Sequence, residues 1–81
     1  MQYSERQKLA NRLPLLSPFD GDYVVLPFPN EVVKVTDRAA LIAFRNPDGE
    51  WKRAWIPQSL MRVDSMGNCY VQAWYFVRHL K

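Results

Sequence analysis

Residues 39–59, AALIAFRNPDGEWKRAWIPQS, set an apolar run, 39–44, and a mixed aromatic, cationic and apolar run, 51–56, on either side of a short polar break. They predict two antiparallel strands, 39–46 and 50–57, whose successive side chains point to opposite faces. The break, Asn46-Pro47-Asp48-Gly49, has the residues of a type I turn followed by a left-handed glycine. Asn46 accepts a local hydrogen bond, Pro47 presets φ, and Gly49 takes the positive φ. In that register Asn46 faces Glu50, Arg45 faces Trp51, Phe44 faces Lys52, Ala43 faces Arg53, Ile42 faces Ala54, Leu41 faces Trp55 and Ala40 faces Ile56. One face then carries Ala40, Ile42, Phe44, Ala54 and Ile56, with Lys52 near the turn, and reads as core. The other carries Leu41, Ala43, Arg45, Trp51, Arg53 and Trp55. A slip of one residue would exchange the two faces.

The remaining chain punctuates into short elements. Residues 1–13 predict a helix: Ser4-Glu5-Arg6-Gln7 fits a capping box, Leu9 and Leu13 form an i,i+4 apolar pair that Tyr3 extends, and Pro14 stops it. Such a helix is marginal alone, so it either docks through Leu9, Leu13 and Leu15 or frays. Residues 14–21 read as a loop anchored by Leu16 and Phe19. Asp22–Phe28 reads as an edge strand, because Pro27 and Pro29 limit its pairing. Residues 31–36 predict a further strand, Pro57–Ser59 a bend, Leu60–Asp64 a strand, Ser65–Asn68 a turn and Cys69–Val71 a last strand. In the tail, Ala73, Trp74, Val77 and Leu80 suit a helix, with a continued strand as the rival because Trp, Tyr, Phe and Val favour sheets.

These elements imply a mostly β, α+β fold. We expect a small, strongly bent antiparallel sheet, or an open SH3- or OB-like barrel of about five strands, with short N- and C-terminal helices. Residues 1–21 form a helix-and-loop extension and residues 22–81 the β domain with its C-terminal helix. No internal repeat or low-complexity segment is present.

Composition narrows the classes. At 81 residues the chain is one domain, and 48% hydrophobic with 14% aromatic residues is too apolar for disorder. No apolar run approaches the roughly 18 residues of a membrane span, and the polar N-terminus lacks a signal-peptide core. A cytoplasmic protein with no membrane partner is the expectation. A single cysteine, Cys69, and a single histidine, His79, exclude an internal disulfide and a Cys-rich zinc site. The net charge of +3 is unevenly spread: Asp20, Asp22 and Glu31 make residues 14–33 acidic, and cations dominate residues 34–62. The balance favours anionic partners, although many ordinary domains carry as much. The acidic loop could also meet a basic patch in a homo-oligomer.

Lys34-Val35-Thr36, Ala40–Phe44 and Trp55-Ile56-Pro57-Gln58-Ser59, with Tyr70-Val71 and Trp74-Tyr75-Phe76 further on, carry a resemblance. Residues 32–78 resemble a group of small, largely uncharacterised proteins of bacteriophages and other mobile elements, with the pattern K-x-T-x-x-A-x-L-[FL]…W-I-P-x-S. The resemblance implies a fold and a mobile-element origin rather than an activity.

For chemistry, no nucleophile–base pair, glycine-rich phosphate loop or paired carboxylates stand out, so no enzyme, cofactor or metal is expected. His79 reads as a solvent-facing or helix-end histidine, and Cys69 as a small core residue. Ser59 is expected to hydrogen-bond local backbone and hold the bend. The best candidate site is the aromatic and cationic face of the hairpin. Indoles offer stacking surfaces to unpaired bases, and arginines pair with phosphates or stack on bases. Arg45, Trp51, Arg53 and Trp55 would make it, with Lys34, Arg38 and Arg62 as further phosphate contacts. The bland alternative makes Trp55 a barrel-closing residue and Lys52-Arg53 a solvated strand end. Trp74, Tyr75 and Phe76 form a second candidate, a partner-binding patch, unless at least two of them pack inward. The expectation is therefore a non-enzymatic nucleic-acid-binding accessory protein, with a protein-interaction module directed at a host protein as the alternative.

Overall fold

The computed structural model describes residues 4–81. The hairpin forms as its turn dictates. Gly49 N donates to Asn46 O and Asn46 N donates to Glu50 O, both at 2.9 Å, and Asn46 Oδ1 accepts from Glu50 N at 2.9 Å. Gly49 sits at φ +85°, a region that strains any residue bearing a Cβ. The strands β3 (Ala39–Arg45) and β4 (Trp51–Pro57) pair from Arg45 opposite Trp51 to Ala39 opposite Pro57, in the register the turn predicts.

β2 (Asn30–Val35) adds to the other side of β3, making a meander sheet in the order β2-β3-β4. The register shifts between Val32 and Lys34, so one residue bulges out of the ladder. Val32 opposite Ile42 and Val35 opposite Ala40 both lie on the core side, while Lys34 opposite Leu41 turns to the outside. In an unbroken strand Val32 and Lys34 would share a face. The bulge therefore decides where this lysine points.

The second sheet is assembled from distant segments. β1 (Tyr23–Val25), β6 (Cys69–Gln72) and β5 (Met61–Val63) run in the order β1-β6-β5, with Tyr23 opposite Gln72 and Val63 opposite Cys69. Among the described residues the strands thus number six, in two antiparallel three-stranded sheets, and β1 is shorter than the expected 22–28. At the bend, a 3₁₀ turn spans Gln58–Leu60. Gln58 rather than Ser59 supplies the side-chain bonds there: its Nε2 donates to Thr36 O (2.7 Å) and Ala39 O (3.1 Å).

The N-terminal helix α1 (Glu5–Arg12) is capped by Ser4, whose Oγ accepts from Gln7 N at 3.1 Å. Leu13 is already extended before Pro14. The helix docks through Leu9 and Leu13, while Leu15 stays exposed; the contribution expected of Tyr3 lies outside the described residues. Polar contacts reinforce the docking. Glu5 Oε2 accepts from Val35 N at 3.0 Å, and Arg6 reaches both the carbonyl (2.8 Å) and the side-chain oxygen of Asn30. At the other end α2 (Ala73–Tyr75) continues into a wider π-type turn, Phe76–Leu80, which settles the tail as helical.

One core joins all of this. Leu9, Leu13, Leu26, Val32, Ala40, Ile42, Phe44, Ile56, Met61, Val63, Cys69, Val71 and Leu80 pack together between the sheets and under both helices. Each large apolar side chain removed from water contributes about 1.5–3 kcal/mol. Phe19, expected as a loop anchor, instead stands 96% exposed. Its loop is closed by polar bonds, Ser17 N to Asp20 Oδ2 and Asp20 N to Ser17 O, so no apolar anchor is required.

Candidate nucleic-acid interface

The hairpin register separates the two faces cleanly. Ala40, Ile42, Phe44 and Ile56 are buried, while Trp51 and Trp55 are 54% and 49% exposed. Trp55 therefore lies at the surface and does not close the core. On β4 the outward residues are Trp51, Arg53 and Trp55, a cation between two indoles at i, i+2 and i+4, with the indoles spaced about 13 Å apart along the strand. Across β3, Arg45 lies opposite Trp51, Ala43 opposite Arg53 and Leu41 opposite Trp55. Arg45 Nε donates to Gly49 O at 3.1 Å, which holds its guanidinium near the turn. Small Ala43 is buried between its neighbours and leaves the middle row low.

β2 completes the face with one charge of each sign. Lys34 stands opposite Leu41, in the same row as Trp55, and Glu31 stands opposite Ala43, in the row of Arg53. Arg38 lies in the turn between β2 and β3, beyond the end of this face. Its carbonyl accepts from Gln58 N at 2.8 Å, and the neighbouring Asp37 carbonyl accepts from Arg12 Nη2 at 2.8 Å. Arg12 is a cation that sequence reasoning did not place here. It comes from α1, and nothing local in the chain signals its approach. An open cleft of ≈ 310 Å³ lies beside it, lined by Lys8, Asn11, Arg12, Val35, Thr36 and Asp37. Lys8 is paired there with Glu5 at 3.1 Å.

Arg62 does not join the face. It belongs to β5 in the other sheet, where it is mostly buried, 3.5 Å from Asp20, 5.2 Å over the ring of Tyr23, and donating to Met61 O. These contacts hold its guanidinium against the other sheet. In the second candidate patch only Trp74 is exposed; Tyr75 and Phe76 pack against the core. Tyr75 also donates its hydroxyl to Trp55 O at 3.1 Å, which fixes the C-terminal helix to the end of β4, and its ring lies 4.6 Å from that of exposed His79.

The titratable groups with perturbed chemistry lie around the β5–β6 turn. Hydrogen bonds from the side chain and backbone of Asn68, then from Met66 N and the Tyr70 hydroxyl, hold the Asp64 carboxyl below its ordinary value. The bond to Asp64 pushes the Tyr70 hydroxyl up. Burial pushes the Cys69 thiol up, partly offset by the charge of Arg6. A buried, protonated thiol is a poor nucleophile. No family model, curated protein or solved structure matches the chain.

Proposed function

We propose that this chain is a non-enzymatic accessory protein of phage or mobile-element type that binds single-stranded nucleic acid in the host cytoplasm. The observation that carries the reading is the Trp51–Arg53–Trp55 stripe on β4, with both indoles half-exposed and Arg45 beside Trp51. Exposed indoles cost solvation that a structural role would have recovered by burial, and stacked bases would recover it at about 1–3 kcal/mol each. Arg53, Arg45 and Lys34 would neutralise phosphates, with Arg38 at the margin. Glu31 at the far side of the face would bias the strand toward β4. Arg62, engaged in the other sheet, has no part in it.

The test is quenching of tryptophan emission by oligothymidylate and oligouridylate at low salt. Saturable quenching that weakens steeply as salt rises is expected, since each neutralised phosphate releases counterions. Unchanged emission at low salt would refute the reading. A second reading, a protein-interaction module directed at a host protein, is favoured by a different observation, the open edge of β4.

A further inference from the structure

β4 ends the meander sheet, and the ladder parity shows which of its backbone groups point away from β3. Asn46 N bonds Glu50 O at the turn, and Gln58 N bonds Arg38 O at the far end (2.8 Å). Even-numbered residues of β4 therefore bond to β3, and Trp51, Arg53 and Trp55 turn their N–H and C=O groups outward. The other long edges are closed by the chain itself. On β2, Glu5 takes Val35 N and Arg6 takes Asn30 O. On β5, Val63 N donates to Pro14 O (3.1 Å) and Leu16 N donates to Val63 O (2.8 Å). β1 is only three residues long. On seven-residue β4 the Tyr75 hydroxyl occupies Trp55 O, and among the described residues no other backbone or side-chain group reaches the outward edge at Trp51 or Arg53.

We propose that β4 accepts an extended peptide, running antiparallel, as a fourth strand along Trp51 and Arg53, one with an acidic side chain opposite Arg53 and an apolar side chain two residues away, opposite Trp51. Residues directly opposite in a ladder share a face. The residue paired with Arg53 thus lies beside the guanidinium, and the one opposite Trp51 lies beside its indole, while Tyr75 at Trp55 O ends the open edge. Charge selects this occupant over a second copy of the chain. Antiparallel pairing of β4 with itself about Arg53 sets that arginine against its twin, with Lys52 of each strand close by, and like charges directly opposite are destabilising. The same repulsion keeps the edge from pairing indiscriminately, and it leaves an anionic strand as the one that fits. The proposal goes beyond the nucleic-acid reading and does not depend on it. Because the two ligands share Arg53 and the Trp51 indole, they would compete.

The probe is a fluorescein-labelled nine-residue peptide with a Val-Thr-Glu-Thr-Val centre, titrated with the full chain and read by anisotropy. Amide hydrogen exchange of Trp51 and Arg53 is followed in parallel. Saturable binding is expected, with both amides protected. Replacing the peptide's Glu by Lys, methylating the backbone nitrogen of that Glu, or introducing Arg53→Gln in the protein should each weaken binding by about tenfold or more. Three results overturn the proposal. One is no saturable binding up to about 1 mM peptide, the level of a very weak complex. Another is equal binding of the methylated or Lys peptide, which would place it off the ladder or deny the charge match. The third is a concentration-dependent dimer whose Trp51 and Arg53 amides are protected without peptide, which would assign the edge to a second copy.

Discussion

Gly49→Ala tests the link between the turn and the proposed site. At φ +85° an L side chain is strained, yet a Cβ built there meets nothing within 4 Å. The cost is therefore backbone strain alone, about 1–2 kcal/mol, less a few tenths recovered from the stiffer unfolded chain. Escape by a one-residue slip of β4 against β3, which β2 holds in place, would turn the fully buried Ile56 into water and Arg53 into the core. The lost burial costs about 1.5–3 kcal/mol and a buried unpaired guanidinium more, which together exceed the strain, so the register should hold. Thermal unfolding followed by far-UV circular dichroism should show Tm lowered by about 4–8 °C for each kcal/mol lost in a domain of this size. Tryptophan emission, measured in a Trp74→Phe background, should stay at the wavelength of half-exposed indoles. Gly67→Ala is the matched control: Gly67 has φ +86° in similarly open space, but in the other sheet's turn. An unchanged Tm in Gly49→Ala would deny the left-handed glycine. A blue-shifted emission would mean that the faces had exchanged and that the indoles no longer line the outer face.

Leu9→Ala should cost about 2–5 kcal/mol in urea unfolding, because Leu9 is fully buried where α1 meets the sheets; a loss under about 0.5 kcal/mol, the scale of a surface substitution, would mean that the helix is not docked. The Asp64 carboxyl titrates lower in the folded chain than in the unfolded one. Its contribution is therefore present above the unfolded carboxylate range and is lost as pH falls through the folded value. Asp64→Asn should flatten the acid limb of a stability–pH profile, and a profile identical to the parent's would contradict the bonds drawn to it. Arg62→Gln should lower stability and leave oligonucleotide quenching intact, since Arg62 pairs with Asp20 and covers Tyr23 away from the outer face; weakened quenching at unchanged stability would return it to the interface.

The hairpin was legible because its information is local: Asn-Pro-Asp-Gly fixes the turn, and the alternation on either side fixes the faces. The helix cap at Ser4 and the stop at Pro14 are legible for the same reason. The division into two sheets was not, since it rests on Tyr23 meeting Gln72, a pairing that no window of sequence contains. Arg62 illustrates the cost. Its charge suggested the basic face, and only the placement of β5 beside β6 shows that it belongs elsewhere. Phe19 misled because an aromatic residue in a loop suggests burial, whereas Ser17 and Asp20 close that loop unaided. The bulge near Val33 depends on how β2 lies along β3, so the outward turn of Lys34 appears only in the assembled sheet.

The unequal reach of the two sheets bears on how the chain matures as it leaves the ribosome. The meander can close as soon as residue 57 has emerged, because each of its strands follows its mate directly. β1 precedes the meander strands and waits for β6, which follows them. Long-range pairing of this kind comes late in folding, and a strand kept waiting is open to wrong partners. Stalled chains ending before Cys69 would thus display a finished hairpin surface on an unfinished body, and could engage ligands before the native core exists.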